Sequence, residues 1–180
     1  MIDERYRPEL WLLFLRKSDR ELQSRARIDF YKATGRGGQK RNKTSSAVRL
    51  TLEHLSVTQS ASRSRAENIS GALKKLRIAI ALDIGAGYGS RDLWSEFPQE
   101  IHPYLQSGLL AIHAKNPMFP IFVGCFIDVF VHCRGDWKKM AEIYSTSPSQ
   151  IRKFPAKNPF MLDTVRKLQN QFRVATERTE

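Results

Sequence analysis

The spacing of apolar residues changes twice along this chain. Val48, Leu50 and Leu52 alternate with Arg49, Thr51 and Glu53, the period of a half-buried strand. Residues 27–33 alternate in the same way, which puts Ile28 and Phe30 on one face and Asp29 and Tyr31 on the other. Residues 55–59 predict a weaker strand with Val57 inward, joined to its predecessor by a turn near Glu53-His54 that contains neither Gly nor Pro. The period then lengthens. Ile69, Ala72, Leu73, Leu76 and Ile80 form a helical stripe over residues 65–82, with Lys74, Lys75 and Arg77 opposite it. From Phe119 to Cys133 apolar residues fall on nearly every side, as in a helix at the centre of a bundle.

Capping residues set the other boundaries. Pro8 suits the first turn of a short helix over 8–17, whose Trp11 and Phe14 share a face and are expected to pack on the domain. Ser18 and Glu21 have the spacing of a capping box and predict a second helix over 19–25. Ser64 and Glu67 repeat that spacing ahead of the long helix. In the second half, Gly135 ends the apolar helix and Asp136 caps a helix over 137–144. Ser147 caps another over 148–154, and residues 159–172 form a last helix with Leu162, Val165, Leu168 and Phe172 on one stripe. Two short helices about a three-residue turn match a helix-turn-helix, with Ala141, Ile143 and Ile151 as its apolar contacts. The expected fold is α+β: a small mixed sheet packed by a long helix with a protruding glycine loop, followed by a small all-α helical domain. The boundaries are 1–83 for the first domain, 84–115 for a linker and 116–180 for the helices.

Charge sharpens this division. The chain of 180 residues carries a net charge of +12. Residues 1–82 hold 18 Lys and Arg against 8 Asp and Glu, a net of +10, while residues 83–180 hold 12 against 10, a net of +2. Such a basic half predicts a polyanionic partner and steep salt dependence. The acidic start Met1-Ile2-Asp3-Glu4 is unlike a secretory signal, and Pro120, Gly124 and Asp128 interrupt the apolar run that a membrane span would need. Cys125 and Cys133 lie inside that run and are expected as buried thiols. His54, His102, His113 and His132 have no ligand spacing, so no metal site is expected. Ile84-Gly-Ala-Gly-Tyr-Gly89 has the glycines of a dinucleotide site but follows a helix instead of a strand, so no cofactor is expected either.

The candidate chemistry sits between the first two strands. Gly35, Gly37 and Gly38 are followed by Gln39, among Lys32, Arg36, Lys40, Arg41 and Lys43, with no acidic residue between Asp29 and Glu53. The spacing is not that of a phosphate-cradling loop. Gly37-Gly38-Gln39, then Lys40-Arg41-Asn42-Lys43, Ser46-Ala47-Val48-Arg49-Leu50, Arg63-Ser64, Asn68 and Ala72-Leu73, resembles the peptidyl-tRNA hydrolase domain of class I peptide chain release factors. The resemblance runs over residues 18–82. It implies ribosome-dependent hydrolysis of the ester joining peptide to tRNA, with Gly37, Gly38 and Gln39 as the catalytic residues. By that analogy the Gln39 backbone N–H faces the developing oxyanion and its side chain shapes the water site. Gly37 and Gly38 permit the close backbone approach. Arg36, Lys40, Arg41, Asn42, Lys43, Arg49, Arg63 and Arg65 form the expected RNA-binding set.

The chain is short for a complete release factor and shows no codon-recognition domain, so it looks like the stand-alone relatives that rescue stalled ribosomes. Those usually end in a basic tail, which Gln171–Glu180 is not, and Arg36 and Lys40 replace commoner residues of the motif. Gln150, Arg152 and Lys153 are the expected partner-contacting residues of the helical segment. Reading of DNA, contact with RNA, ribosome or protein, and a purely structural bundle all remain open for it. The resemblance implies ribosomal RNA and peptidyl-tRNA as partners, a monomer, no membrane, and the cytoplasm or an organelle with its own ribosomes. The rival expectation is a non-catalytic RNA-, ribosome- or DNA-binding protein.

Overall fold

A computed structural model describes residues 5–32, 45–83, 97–105 and 112–177. The chain divides into two compact units, Met1–Ile80 and Ala81–Glu180.

The first unit opens with a single 3-10 turn, Pro8–Leu10, that runs into α1 (Trp11–Arg16). Trp11, Phe14 and Leu15 are buried, and Tyr6 meets Phe14 edge-on at 5.1 Å. α2 (Asp19–Arg25) begins with both halves of its capping box formed. Glu21 N–H donates to Ser18 Oγ at 3.3 Å, and Ser18 N–H donates to the Glu21 carboxylate at 2.8 Å. The Ser18 hydroxyl and then the Ser18 amide hold the Glu21 carboxyl below its usual pKa.

Strands β1 (Arg27–Tyr31), β2 (Ala47–Leu52) and β3 (Leu55–Gln59) follow in spatial order β1-β2-β3. The α+β class is as expected, but the sheet is antiparallel throughout and not mixed. Leu52 pairs with Leu55, so Glu53-His54 is a two-residue hairpin turn in which Glu53 takes a left-handed φ of 49°. That conformation usually falls to glycine, so the turn stands where it was expected but without the residue type that normally marks it.

Val48, Leu50 and Leu52 are buried on one face of the sheet, under α3 (Arg65–Leu82). From α3 come Ala72, Leu73, Leu76 and Ile80, all buried as the stripe predicts. Gly71 lets α3 approach β3 closely: a Cβ there would lie 3.0 Å from Gln59 Cγ. Phe30 pairs with Val48 and so shares the inner face, yet it is 43% exposed because β1 is an edge strand. The Arg65 guanidinium covers the Phe30 ring at 4.8 Å.

Two cations expected on the solvent side of α3 turn inward. Lys75 Nζ donates to the Thr58 carbonyl at 2.7 Å, covering the outer edge of the sheet. Arg77 Nη1 donates to the Leu15 carbonyl and Nη2 to the Lys17 carbonyl, each at 2.7 Å, and Nη2 also meets Asp19 Oδ1 at 2.8 Å. One guanidinium therefore satisfies the end of α1 and the start of α2. Arg77→Ala is expected to destabilise the chain by about 2 kcal/mol, the scale of lost hydrogen bonds from a charged donor. Arg77→Lys should recover only a minor part, because an ammonium cannot reproduce the planar fork. The midpoint of urea unfolding measures both.

The second unit is helical. A 3-10 segment, Gln99–Tyr104, buries Ile101, and Phe97 lies 5.1 Å from Tyr144. These residues and buried Ile112 belong to the stretch expected as a linker, and the structure builds them into this unit. α4 (Phe119–His132) is buried from Phe119 through Phe130 at every position except Pro120. Its Phe122 and Phe126 lie 4.9 and 5.1 Å from Phe154, and Phe130 lies 5.1 Å from Trp137. Cys125 and Cys133 are buried thiols. Gly135, at φ 75°, ends the helix with its region under Phe130 and Phe172.

α5 (Trp137–Ile143) is capped by Asp136, whose Oδ1 accepts from Lys138 N–H at 2.9 Å. α6 (Pro148–Lys153) is capped by Ser147, and a 3-10 turn with Pro155 follows it. Ala141 and Ile151 are buried as expected, but Ile143 is 40% exposed and Tyr144 takes the inside position. α7 (Pro159–Glu177) runs past Phe172, since no Gly or Pro stops it. Met161, Val165 and Leu168 face inward on it, whereas Leu162 is only half-buried.

Candidate functional site

The site is built where β1 hands over to β2. Tyr31 pairs with Ala47, so the segment between them starts and returns at neighbouring points of one sheet. The expected residues Arg36, Gly37, Gly38, Gln39, Lys40, Arg41, Asn42 and Lys43 lie outside the described residues. What the structure places is the sheet on either side of them, the end of β1 and the start of β2.

This part of the sheet is tied to the first turns of α3. Asn68 is fully buried at a position of the helix stripe, four residues before Ala72. Its Nδ2 donates to the Ser46 carbonyl at 2.7 Å and to the Ser62 carbonyl at 2.8 Å. Its Oδ1 accepts from Ser62 N–H at 3.0 Å. Both amide hydrogens and the amide oxygen are thus used, as burial of such a group demands. Arg65 Nε donates to the Ser45 carbonyl at 2.9 Å while its guanidinium covers Phe30. Ser64 Oγ accepts from Glu67 N–H at 3.3 Å, half of the expected capping box. The other half is replaced: the Glu67 carboxylate takes the Ser62 hydroxyl, and Ser62 Oγ in turn accepts from Ser64 N–H at 3.0 Å.

Of the other expected RNA-contacting residues, Arg49 is exposed on the outer face of the sheet, 5.6 Å above the Tyr31 ring. Arg63 is exposed in the turn before α3, and Arg65, though exposed, is engaged at the base of the segment. Arg49, Arg63 and Arg65 all belong to the first unit. Gln150, Arg152 and Lys153 are exposed on α6 in the second. Gln150 Oε1 accepts from the Thr146 hydroxyl at 2.6 Å, an internal bond of the turn, whereas Arg152 and Lys153 close the helix facing solvent.

The near-neutrality of the second half is itself uneven. Residues 83–111 hold one basic residue against four acidic ones, while residues 112–177 hold ten against five. Among the latter, Lys157 is spent on the Ile112 carbonyl at 2.8 Å, and burial lowers its pKa. Asp128 is buried and Asp136 is a cap, so the helical surface is more basic than the totals suggest. Lys138 and Lys139 occupy the first turn of α5, the positive end of its dipole, where cations lower helix stability.

Sequence reasoning overlooked Asn68 as a positioned group. The signal was present: a polar residue at spacing four from Ala72 and eight from Leu76 falls on the buried face and must find partners there.

Among the described residues, no helix is long and apolar enough to cross a membrane. Residues 20–86 match the family model of the RF-1 domain. No curated protein and no solved structure matches the chain. The matched stretch begins in α2 and ends just beyond α3, so it takes in the whole sheet, the Gly-Gly-Gln sequence and α3. Residues 20–86 therefore form a class I release factor-like domain, a module that acts with the ribosome in peptide release.

Proposed function

We infer that this chain hydrolyses the ester of peptidyl-tRNA on the ribosome through Gly37, Gly38 and Gln39, in termination or in rescue of stalled complexes. The observation that carries this reading is the RF-1 domain match, which spans the Gly-Gly-Gln segment together with its sheet and helix. In the reaction, water attacks the ester carbonyl carbon and the tRNA 3′ oxygen leaves with a proton. The Gln39 backbone N–H donates to the oxyanion of the tetrahedral intermediate, and the Gln39 side chain orients the water. Gly37 and Gly38 leave the backbone free of side chains at the point of closest approach. Arg36, Lys40, Arg41, Asn42 and Lys43, with Arg49 and Arg63, contact RNA phosphates and hold the segment in register.

Residues 1–83 supply the hydrolytic domain in this reading. The helices of 116–180 provide a second contact, with RNA phosphates meeting Arg152 and Lys153. The exposure of those two side chains and the excess of basic residues over 112–177 support this. The test is release of labelled peptide from ribosomes stalled on truncated messenger RNA. Binding without release would favour a non-catalytic RNA-binding role. Association is expected to weaken steeply with salt: six phosphate contacts would cost roughly 10³-fold between 50 and 200 mM. Co-sedimentation with ribosomes across that range measures it, and a salt-independent complex would contradict the electrostatic account.

A further inference from the structure

We propose that Asn68 is a positioning residue for peptide release, fixing the point at which the Gly-Gly-Gln segment re-enters the sheet. The proposal rests on the function inferred above. Three bonds meet at one buried amide. Asn68 Nδ2 holds the Ser46 carbonyl, and the same side chain holds both the carbonyl and the N–H of Ser62. Ser46 immediately precedes β2, and Ser62 lies in the turn that feeds α3. One side chain therefore fastens the return of the segment to the helix below it.

Arg65 extends the fastening to the other leg. Its Nε holds the Ser45 carbonyl, and its guanidinium lies on Phe30, the residue of β1 just before Tyr31. Both legs of the segment are thus referred to the first turn of α3. The turn itself is stiffened by Ser62, Ser64 and Glu67. Asn68 itself is fully buried.

The chemistry explains why an amide is needed here. The Ser46 and Ser62 carbonyls call for two donors, and the Ser62 N–H calls for an acceptor, within one planar group. Aspartate has the same shape but turns acceptors toward both carbonyls. Alanine leaves all three half-buried groups without these bonds. A shift of about 1 Å in a reacting group is enough to lower a rate about 100-fold, so a loosened base acts on catalysis directly.

The test uses the full chain with Asn68→Asp, Asn68→Ala and, as a control, Leu76→Ala. Leu76 is fully buried on the same helix, two turns further from the segment. Peptide release is measured against enzyme concentration, so that the maximal rate and the half-saturating concentration separate, at a temperature where every variant is folded. The expected result is a maximal rate at least tenfold lower for both Asn68 variants at unchanged half-saturation. Leu76→Ala, despite its lowered Tm, should keep the wild-type maximal rate. Equal maximal rates for wild type and the Asn68 variants would overturn the proposal. So would losses that track Tm alike in all three variants. Hydrogen exchange reads the clamp independently of activity. The Ser62 N–H should exchange slowly in the wild type and much faster in Asn68→Ala. Fast exchange in the wild type would overturn the clamp, whereas slow exchange in a wild type that releases no peptide would overturn the function and with it the positioning role of Asn68.

Discussion

Gly38→Ala is expected to lower the maximal rate of peptide release by about 100- to 1,000-fold, the scale on which removing one oxyanion donor acts. The substitution adds a single methyl group and removes no charge. It should therefore leave ribosome association within a factor of about two, since the proposed association rests on phosphate contacts. The loss comes from the backbone. In the proposed mechanism, a Cβ next to Gln39 restricts the conformations of the peptide unit whose N–H faces the oxyanion, and it adds bulk at the proposed point of approach to the ester. An effect on the maximal rate without one on affinity is the signature of an interaction made in the transition state. Single-turnover release at saturating protein, together with co-sedimentation, separates the two.

Phe126→Ala is expected to destabilise the helical unit by about 3–5 kcal/mol. The ring is fully buried and stacks at 5.1 Å on Phe154, with Tyr144 at 6.1 Å and Phe130 and Trp137 each at 6.4 Å. No other residue of α4 joins the 3-10 turn after α6, the end of α5 and its own helix in one aromatic cluster. Loss of so many ring contacts leaves a cavity that rigid neighbours cannot close. A domain holds only about 5–15 kcal/mol in total, so this change removes a large share of it. Phe126→Leu keeps most of the volume and should cost less. Urea unfolding followed through the near-ultraviolet signal of the aromatic cluster measures both variants.

The elements with a strong period were legible in the sequence. β2 alternates cleanly because one of its faces is buried and the other is wet, and the α3 stripe persists because one side of that helix lies on the sheet. The buried α4 was legible from its lack of any polar face. What escaped was decided by position or by reach. Phe30 keeps the strand period but sits at the sheet edge, where burial is incomplete. Lys75 and Arg77 follow the polar face of α3, yet their long stems carry the charges back to carbonyls that need donors. Tyr144 displaced Ile143 from the inside because α5 ends at Ile143 and Ser145 then turns with φ 48°, which the periodicity of a helix cannot anticipate.

The candidate site divides in the same way. Gly37, Gly38 and Gln39 stand out as residue types whose chemistry is local, so a short motif is enough to propose them. Asn68 and Arg65 act over a sequence separation of twenty or more residues, at the Ser45 and Ser46 carbonyls. Only the paired strands bring those groups within reach of α3. Arg65, expected among the RNA contacts, has its Nε committed to this base.

The most direct measurement is single-turnover release of labelled peptide from ribosomes stalled on truncated messenger RNA, run with wild type and Gln39→Ala at a salt concentration where both co-sediment with the ribosome. The account predicts rapid release by the wild type and a loss of about 100-fold or more in Gln39→Ala, the scale set by misplacing the attacking group. Equal release by the two proteins, or none by either, would contradict it.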